Sequence, residues 1–325
     1  MVRKPLDYKA TILEREDIAK DLAIFRIRPE FEGFPETFVP GQYTLLGLNH
    51  PEKGSVQRAY SIASPPDDLP DFMDFYVRRV AKPASDNPLT HLLFELGAGD
   101  RIYLGSKIRG NFTLEHELGR PDDPRLKICV AAGTGLAPFT SMVFHEHRNG
   151  RDVSEFLVLH GASYPNQLGY MREMESIMNG DPDRLRYFPT ISREPDAPWA
   201  FDRGRVETFF EEDKLEDLER RAGLEPGFLT PDNAVVFICG LQGTIASTLT
   251  RLLHRGFVPA ERKLRRALWI PEDVSGSLFF EQYDAEPILD LKDEELMVDC
   301  RDRLERAGVK LAPPEDEPVR VISGN

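Results

Sequence analysis

Four short runs carry residue types that chemistry can use. Val130-Ala131-Ala132-Gly133-Thr134-Gly135-Leu136-Ala137-Pro138 follows the apolar run Leu126-Lys127-Ile128-Cys129-Val130 and precedes Phe139-Thr140-Ser141-Met142-Val143-Phe144. The first flank reads as a buried strand, the second as the opening of a helix that stops at Asn149-Gly150. A tight glycine turn between them aims free backbone N–H groups and the positive end of a helix dipole at an anion. Glycine also lets the backbone approach a pyrophosphate with no Cβ in the way. Arg58-Ala59-Tyr60-Ser61 joins a fork of phosphate donors to an aromatic face and hydroxyls. Ser192-Arg193-Glu194, with Arg205 after Gly204, sets a hydroxyl near two cations. Val235-Val236-Phe237-Ile238-Cys239-Gly240 is an apolar strand ending in a thiol.

The elements that must position these residues fall into two kinds. Over the first hundred or so residues, short strands such as Leu22–Ile27, Gln42–Leu48, Asp74–Val80 and Arg101–Leu104 alternate with Pro, Gly and Asp turns. That spacing predicts an antiparallel barrel, with one helix over Leu89–Phe94. The hydrophilic Gly119–Pro124 reads as a linker. Beyond it, strands at Glu155–His160 and Arg186–Ile191 alternate with helices around Met171–Met174 and over Val206–Arg221, the latter closed by Gly223. Such βαβ alternation predicts a parallel sheet with helices on its faces, whose ligands bind at the carboxyl ends of the strands. Gly133, Ser163, Ser192 and Cys239 all fall just after predicted strands. The expected organisation is residues 1–120, 121–284 and a C-terminal extension, 285–325. The extension carries one amphipathic helix, Glu294–Ala307, and ends in the acidic, proline-rich 313–318.

Composition narrows the function. With 41 Lys and Arg against 55 Asp and Glu, the net charge of −14 argues against nucleic-acid binding. Arg262-Lys263-Leu264-Arg265-Arg266 is the densest local basic patch, equally readable as a docking face or a solvated helix end. Three widely separated cysteines, Cys129, Cys239 and Cys300, suit neither a disulfide framework nor an iron–sulfur cluster. His145-Glu146-His147 lacks the spacing of a helical zinc site, and no metal is expected. No run reaches the length of a membrane span, and Met1–Asp7 shows no apolar leader core, so the expectation is a cytoplasmic protein.

In this order the motifs resemble the ferredoxin–NADP reductase family, specifically its bacterial flavodoxin/ferredoxin reductases, over roughly residues 5–284. The resemblance implies an FAD-binding antiparallel barrel followed by a Rossmann-like, parallel α/β NADP domain. It implies hydride transfer between NADP(H) and FAD, and single-electron exchange with a separate ferredoxin or flavodoxin. Arg58, Ala59, Tyr60 and Ser61 would hold the flavin, with Ser61 hydrogen-bonding near the N5 that accepts hydride. Tyr76 and Thr90 match flavin-contacting positions and are equally readable as ordinary barrel residues. Gly133, Thr134 and Gly135 would take the nicotinamide dinucleotide, and Ser192, Arg193 and Arg205 its 2′-phosphate, unless the two arginines merely form surface ion pairs. Ser163 stands where many relatives carry a further Arg, which weakens the expected NADP preference. Cys239 and Gly240 would lie by the nicotinamide, the thiol positioning rather than attacking. Tyr283 would be the near-terminal aromatic that stacks on the flavin, with Phe279 and Phe280 as alternatives and a core aromatic as the bland reading. The rivals are a reductase component of an oxygenase and a flavin-binding regulatory protein without turnover. The extension could cap the flavin, mediate dimerisation or dangle.

Overall fold

The computed structural model describes residues 5–82, 87–120, 122–149, 155–193, 198–283 and 285–313. Pro121, Gly150, Glu194, Asp284 and residues 314–318 of the acidic tail lie outside the described residues. The chain divides into two units, Met1–Pro124 with Cys129–Val206, and Arg125–Ile128 with Glu207–Asn325.

The first unit opens with β1 (Ala10–Ala19), β2 (Leu22–Pro29), β3 (Tyr43–His50), β4 (Gly54–Ser61), β5 (Met73–Arg78), α1 (Leu89–Leu93) and β6 (Arg101–Leu104). The strands form an antiparallel sheet of order β4-β3-β6-β1-β2-β5. Its two edges meet just past β4, where the Ala63 N–H donates to the Asp74 carbonyl at 2.8 Å, as the barrel expectation requires. Alternation sets the inner face: Ile12, Phe25, Ile27, Leu46, Phe75 and Val77 are buried, and Leu89 and Leu93 bring α1 against them. A short helix, α2 (Leu114–Leu118), precedes the linker; Thr113 caps it and Gly119 ends it at φ 69°.

The parallel part comprises β7 (Leu126–Ala132), α3 (Ala137–Asn149), β8 (Phe156–Ala162), α4 (Met171–Gly180), β9 (Leu185–Ile191), β10 (Asp202–Arg203), α5 (Glu212–Arg221), β11 (Ala234–Gly240), α6 (Gln242–Leu252), α7 (Arg262–Ala267) and β12 (Leu278–Gln282). The strand order is β10-β9-β8-β7-β11-β12, and β8 with β9, β9 with β10, and β11 with β12 run parallel. One expectation fails. Residues 206–221 are not a single helix: a 3-10 turn over Val206–Phe210 gives way at Glu211, which is extended at φ −65°, ψ 139°, before α5 begins. The break lets two sets reach the interior, Val206, Phe209 and Phe210 before it and Leu215 and Leu218 after it, which one straight helix would turn to opposite sides.

The extension packs on its own unit. Helix α8 (Glu294–Arg306) buries Met297, Cys300 and Leu304. The Arg301 guanidinium lies 3.6 Å from the Trp269 ring centroid and donates to the Ala267 carbonyl at 2.8 Å. The Ala312 N–H donates to the Trp269 carbonyl, and Gln242, at the start of α6, donates to the Ile288 carbonyl at 2.7 Å. Ending the chain at residue 284 therefore strips an apolar face from the second unit, and the melting temperature is expected to fall by roughly 5–10 °C. An unchanged melt would show these contacts to be dispensable.

Candidate functional site

Strand β4 is an edge strand, with β3 on one side only. Its ladder sets Arg58 opposite Leu46, Tyr60 opposite Thr44 and Ser61 opposite Tyr43. With a period of two, Arg58 and Tyr60 share one face and Ala59 and Ser61 the other. Arg58 and Ala59 are exposed, Tyr60 is half-buried and Ser61 is buried. The Tyr60 hydroxyl is itself buried with no hydrogen-bond partner among the described residues, and burial pushes its phenol up. Such an orphan costs about 1–3 kcal/mol unless a ligand supplies the partner. An aromatic ring with an orphan hydroxyl, beside an exposed guanidinium, is a donor set for a ring and a phosphate.

Hydroxyls tie this edge to the glycine turn within the first unit. Thr140 and Ser141 of α3 donate to the carbonyls of Ala63 and Ser64, each at 2.8 Å. The Ser64 hydroxyl in turn accepts from the Asp74 N–H at 3.0 Å. Tyr76 is part of the same framework. Its hydroxyl donates to the Gln167 carbonyl at 3.1 Å and accepts from the Gly169 N–H at 2.9 Å, and burial pushes its pKa up to about 12. Thr90 is also buried, its hydroxyl accepting from the Val80 N–H at 3.2 Å. Both hydroxyls thus already hold backbone.

Gly133, Thr134 and Gly135 form a 3-10 turn between β7 and α3. Gly133 sits at φ 57°, where a side chain is strained, and among the described residues a Cβ there would meet the Arg78 guanidinium, at 3.9 Å. Arg78 was not singled out from the sequence; β5 carries it to the turn, and Asp21 and Gln167 accept its hydrogen bonds. On β8, His160 is wholly buried, its Nδ1 2.9 Å from the Tyr187 hydroxyl. Burial lowers its pKa from 6.5 to about 4. Between those values unfolding takes up a proton, so this contribution is complete above pH 6.5 and is lost as the pH falls toward 4. His160→Gln is expected to flatten the stability loss over that window by up to about 3 kcal/mol, read from urea midpoints. A parallel pH profile would contradict it.

Beyond β8 and β9 the hydrogen bonding continues. The Ser192 N–H donates to the Ala162 carbonyl and the Arg193 N–H to the Ser163 carbonyl, both at 3.0 Å. Strand β10 pairs with Thr190 and Ile191, and the Gly204 N–H donates to the Ile191 carbonyl at 2.8 Å. That pairing brings exposed Arg205 to the strand end that carries exposed Ser192 and Arg193. The three predicted phosphate residues and Ser163 therefore gather at one end of the parallel strands.

In the second unit, Cys239 and Gly240 are the last two residues of β11, inside the strand rather than after it. They pair with Glu281 and Gln282 of β12, and the Tyr283 N–H donates to the Gly240 carbonyl at 3.2 Å. Cys239 is fully buried. Burial and the Glu281 charge raise its thiol well above the usual range, while the Tyr283 hydroxyl bonds it and acts in the opposite sense. The Cys239 Sγ–H faces a Glu281 carboxylate oxygen at 3.9 Å. Burial thus disfavours the thiolate that nucleophilic attack would need. Glu281 was missed from the sequence, because only the β11–β12 register brings a carboxylate to the cysteine. Among the three candidate aromatics, Phe279 is buried and stacked on Phe237 at 5.1 Å, Phe280 is half-buried, and Tyr283 is 43% exposed.

An antiparallel sheet with Arg-x-Tyr-Ser on its edge, followed by a parallel sheet with a glycine turn after a central strand, defines the two-domain flavin- and nicotinamide-linked reductases as a class. Residues 129–249 match the family model described as the oxidoreductase NAD-binding domain. The chain is 36% identical over 226 residues to ferredoxin–NADP reductase B of Sorangium cellulosum, covering 70% of this chain and 82% of that protein. It is 30% identical over 216 residues to the flavodoxin/ferredoxin–NADP reductase of Rhodobacter capsulatus, covering 63% and 72%. The fold is shared with a crystal structure of a Neisseria gonorrhoeae ferredoxin NADP+ reductase with bound FAD and NADP, at a TM-score of 0.64 and 23% identity over 85% of this chain and 99% of that one. The chain belongs to the ferredoxin–NADP reductase family.

Proposed function

We propose that this chain is an FAD-dependent reductase that exchanges hydride with NADP(H) and single electrons with a ferredoxin-type carrier or a flavodoxin. The observation that carries the reading is the edge strand Arg58–Ser61, with its orphan Tyr60 hydroxyl, tied through Thr140 and Ser141 to the helix after the Gly133 turn. FAD suits that edge: Arg58 would take phosphate, Tyr60 would lend its ring and hydroxyl, and Ser61 would donate at the hydride-accepting nitrogen. Tyr76 and Thr90, with hydroxyls already engaged, would shape the pocket wall. Gly133, Thr134 and Gly135 would take the nucleotide pyrophosphate, and Ser192, Arg193 and Arg205 its 2′-phosphate. Cys239 and Gly240 would pack beside the nicotinamide, and Tyr283 is the aromatic proposed to stack on the flavin. When bound, FAD supplies the conversion between two-electron and one-electron transfer; the chain supplies orientation, donors and exclusion of water.

The proposed domains are 1–120 for flavin, 121–284 for nucleotide and 285–325 as extension. For an acidic carrier, α7 offers exposed Arg262, Lys263 and Arg266, while Arg265 is spent on the carbonyls of Pro259, Pro271 and Val274. A cytoplasmic location suits the reading, since all three cysteines are buried free thiols; no helix among the described residues is long and apolar enough to cross a membrane. The test is NADPH-driven cytochrome c reduction with and without added ferredoxin or flavodoxin. Stimulation by either carrier is expected. Rates indifferent to both would contradict the carrier assignment.

A further inference from the structure

We propose that Tyr164 is a specificity-determining positioning residue, whose ring holds the Arg193 guanidinium ready for the 2′-phosphate of NADPH. The inference rests on the nucleotide reading above and extends it to a residue with no phosphate-binding chemistry of its own. Ala162 pairs with Ile191 at the end of the β8–β9 ladder, and the bonds from Ser192 to Ala162 and from Arg193 to Ser163 carry the register two residues further. Tyr164, the next residue, is thereby set beside Arg193, and its ring centroid lies 5.8 Å from the guanidinium carbon. Tyr164 is half-buried and extended at φ −135°, and its carbonyl accepts from the Gln167 N–H at 3.0 Å, so the ring stands on fixed backbone.

Arg193 is exposed, and among the described residues no carboxylate pairs with it. An exposed arginine otherwise loses much side-chain freedom when it grips a ligand. A carboxylate would order it too, but would compete with the phosphate for the same donors. An aromatic face attracts the cation without neutralising it. A ring next to Ser163 therefore offsets part of what is lost with the cation that Ser163 lacks, by ordering Arg193 in advance.

The test compares Tyr164→Ala, Tyr164→Leu and Tyr164→Phe, alone and with Arg193→Ala. Dissociation constants for NADP+ and NAD+ are read by titration calorimetry of the flavin-loaded protein, with circular dichroism melts to verify folding. Tyr164→Ala and Tyr164→Leu are expected to weaken NADP+ roughly three- to fivefold, with NAD+ changed less than about twofold. Tyr164→Phe keeps the wild-type values, and Tyr164→Ala adds nothing on top of Arg193→Ala. Equal losses for both nucleotides would mean that the ring touches their shared part and would overturn the proposal. So would a Phe variant as weak as Ala, or losses that add in the double variant. Wild-type protein that binds NADP+ no more tightly than NAD+ would overturn the 2′-phosphate reading itself, a failure visible before any variant is made.

Discussion

Ser61→Ala is expected to slow single-turnover flavin reduction by NADPH about a hundredfold, with the bound flavin retained. Ser61 closes β4, buried at 7% exposure, on the face of the strand opposite Arg58 and Tyr60. A donor fixed by a strand reorganises little when charge develops at its acceptor, and removing one such donor costs on the order of 10²–10³ in rate. The flavin should stay because the phosphate and ring contacts proposed for it come from Arg58 and Tyr60. Absorbance of the purified variant checks retention and stopped-flow the rate. A rate within about threefold of wild type would remove Ser61 from the reacting centre.

Arg193→Ala is expected to lower the preference for NADPH over NADH by roughly 10- to 100-fold, chiefly through the NADPH KM. One charge-assisted contact to phosphate contributes about 1.5–3 kcal/mol, and the strand-end register leaves Arg193 exposed with, among the described residues, the Tyr164 ring against its guanidinium. NADH has no 2′-phosphate to lose. Steady-state kinetics with both nucleotides checks this; an unchanged ratio of the two kcat/KM values would reassign the phosphate to Arg205 or elsewhere.

Much of this arrangement is written locally. The strand Arg101–Leu104 and the helix from Glu294 follow from apolar spacing bounded by turn residues, and the structure reproduces both within a residue. The Gly133 turn is legible because a strand, two glycines and a helix start are adjacent in the chain. What lies across ladders is not. Glu281 meets Cys239 only through a parallel register that neither strand states, Arg78 reaches the glycine turn from a strand more than fifty residues earlier, and Tyr164 meets Arg193 through the ends of β8 and β9. The break at Glu211 was hidden for another reason: Val206–Arg221 reads as one helix, but burying Leu215 and Leu218 together with Val206, Phe209 and Phe210 requires the chain to turn between the two sets. The docking of the extension rests on Trp269 and Arg301, which no local pattern links.

The central claim is that this chain takes hydride from NADPH onto a bound flavin. Anaerobic stopped-flow of the yellow protein against NADPH and against NADH, following loss of flavin absorbance, tests it most directly. Fast bleaching with NADPH and much slower bleaching with NADH is the predicted result. A protein that holds flavin yet bleaches with neither would contradict the account.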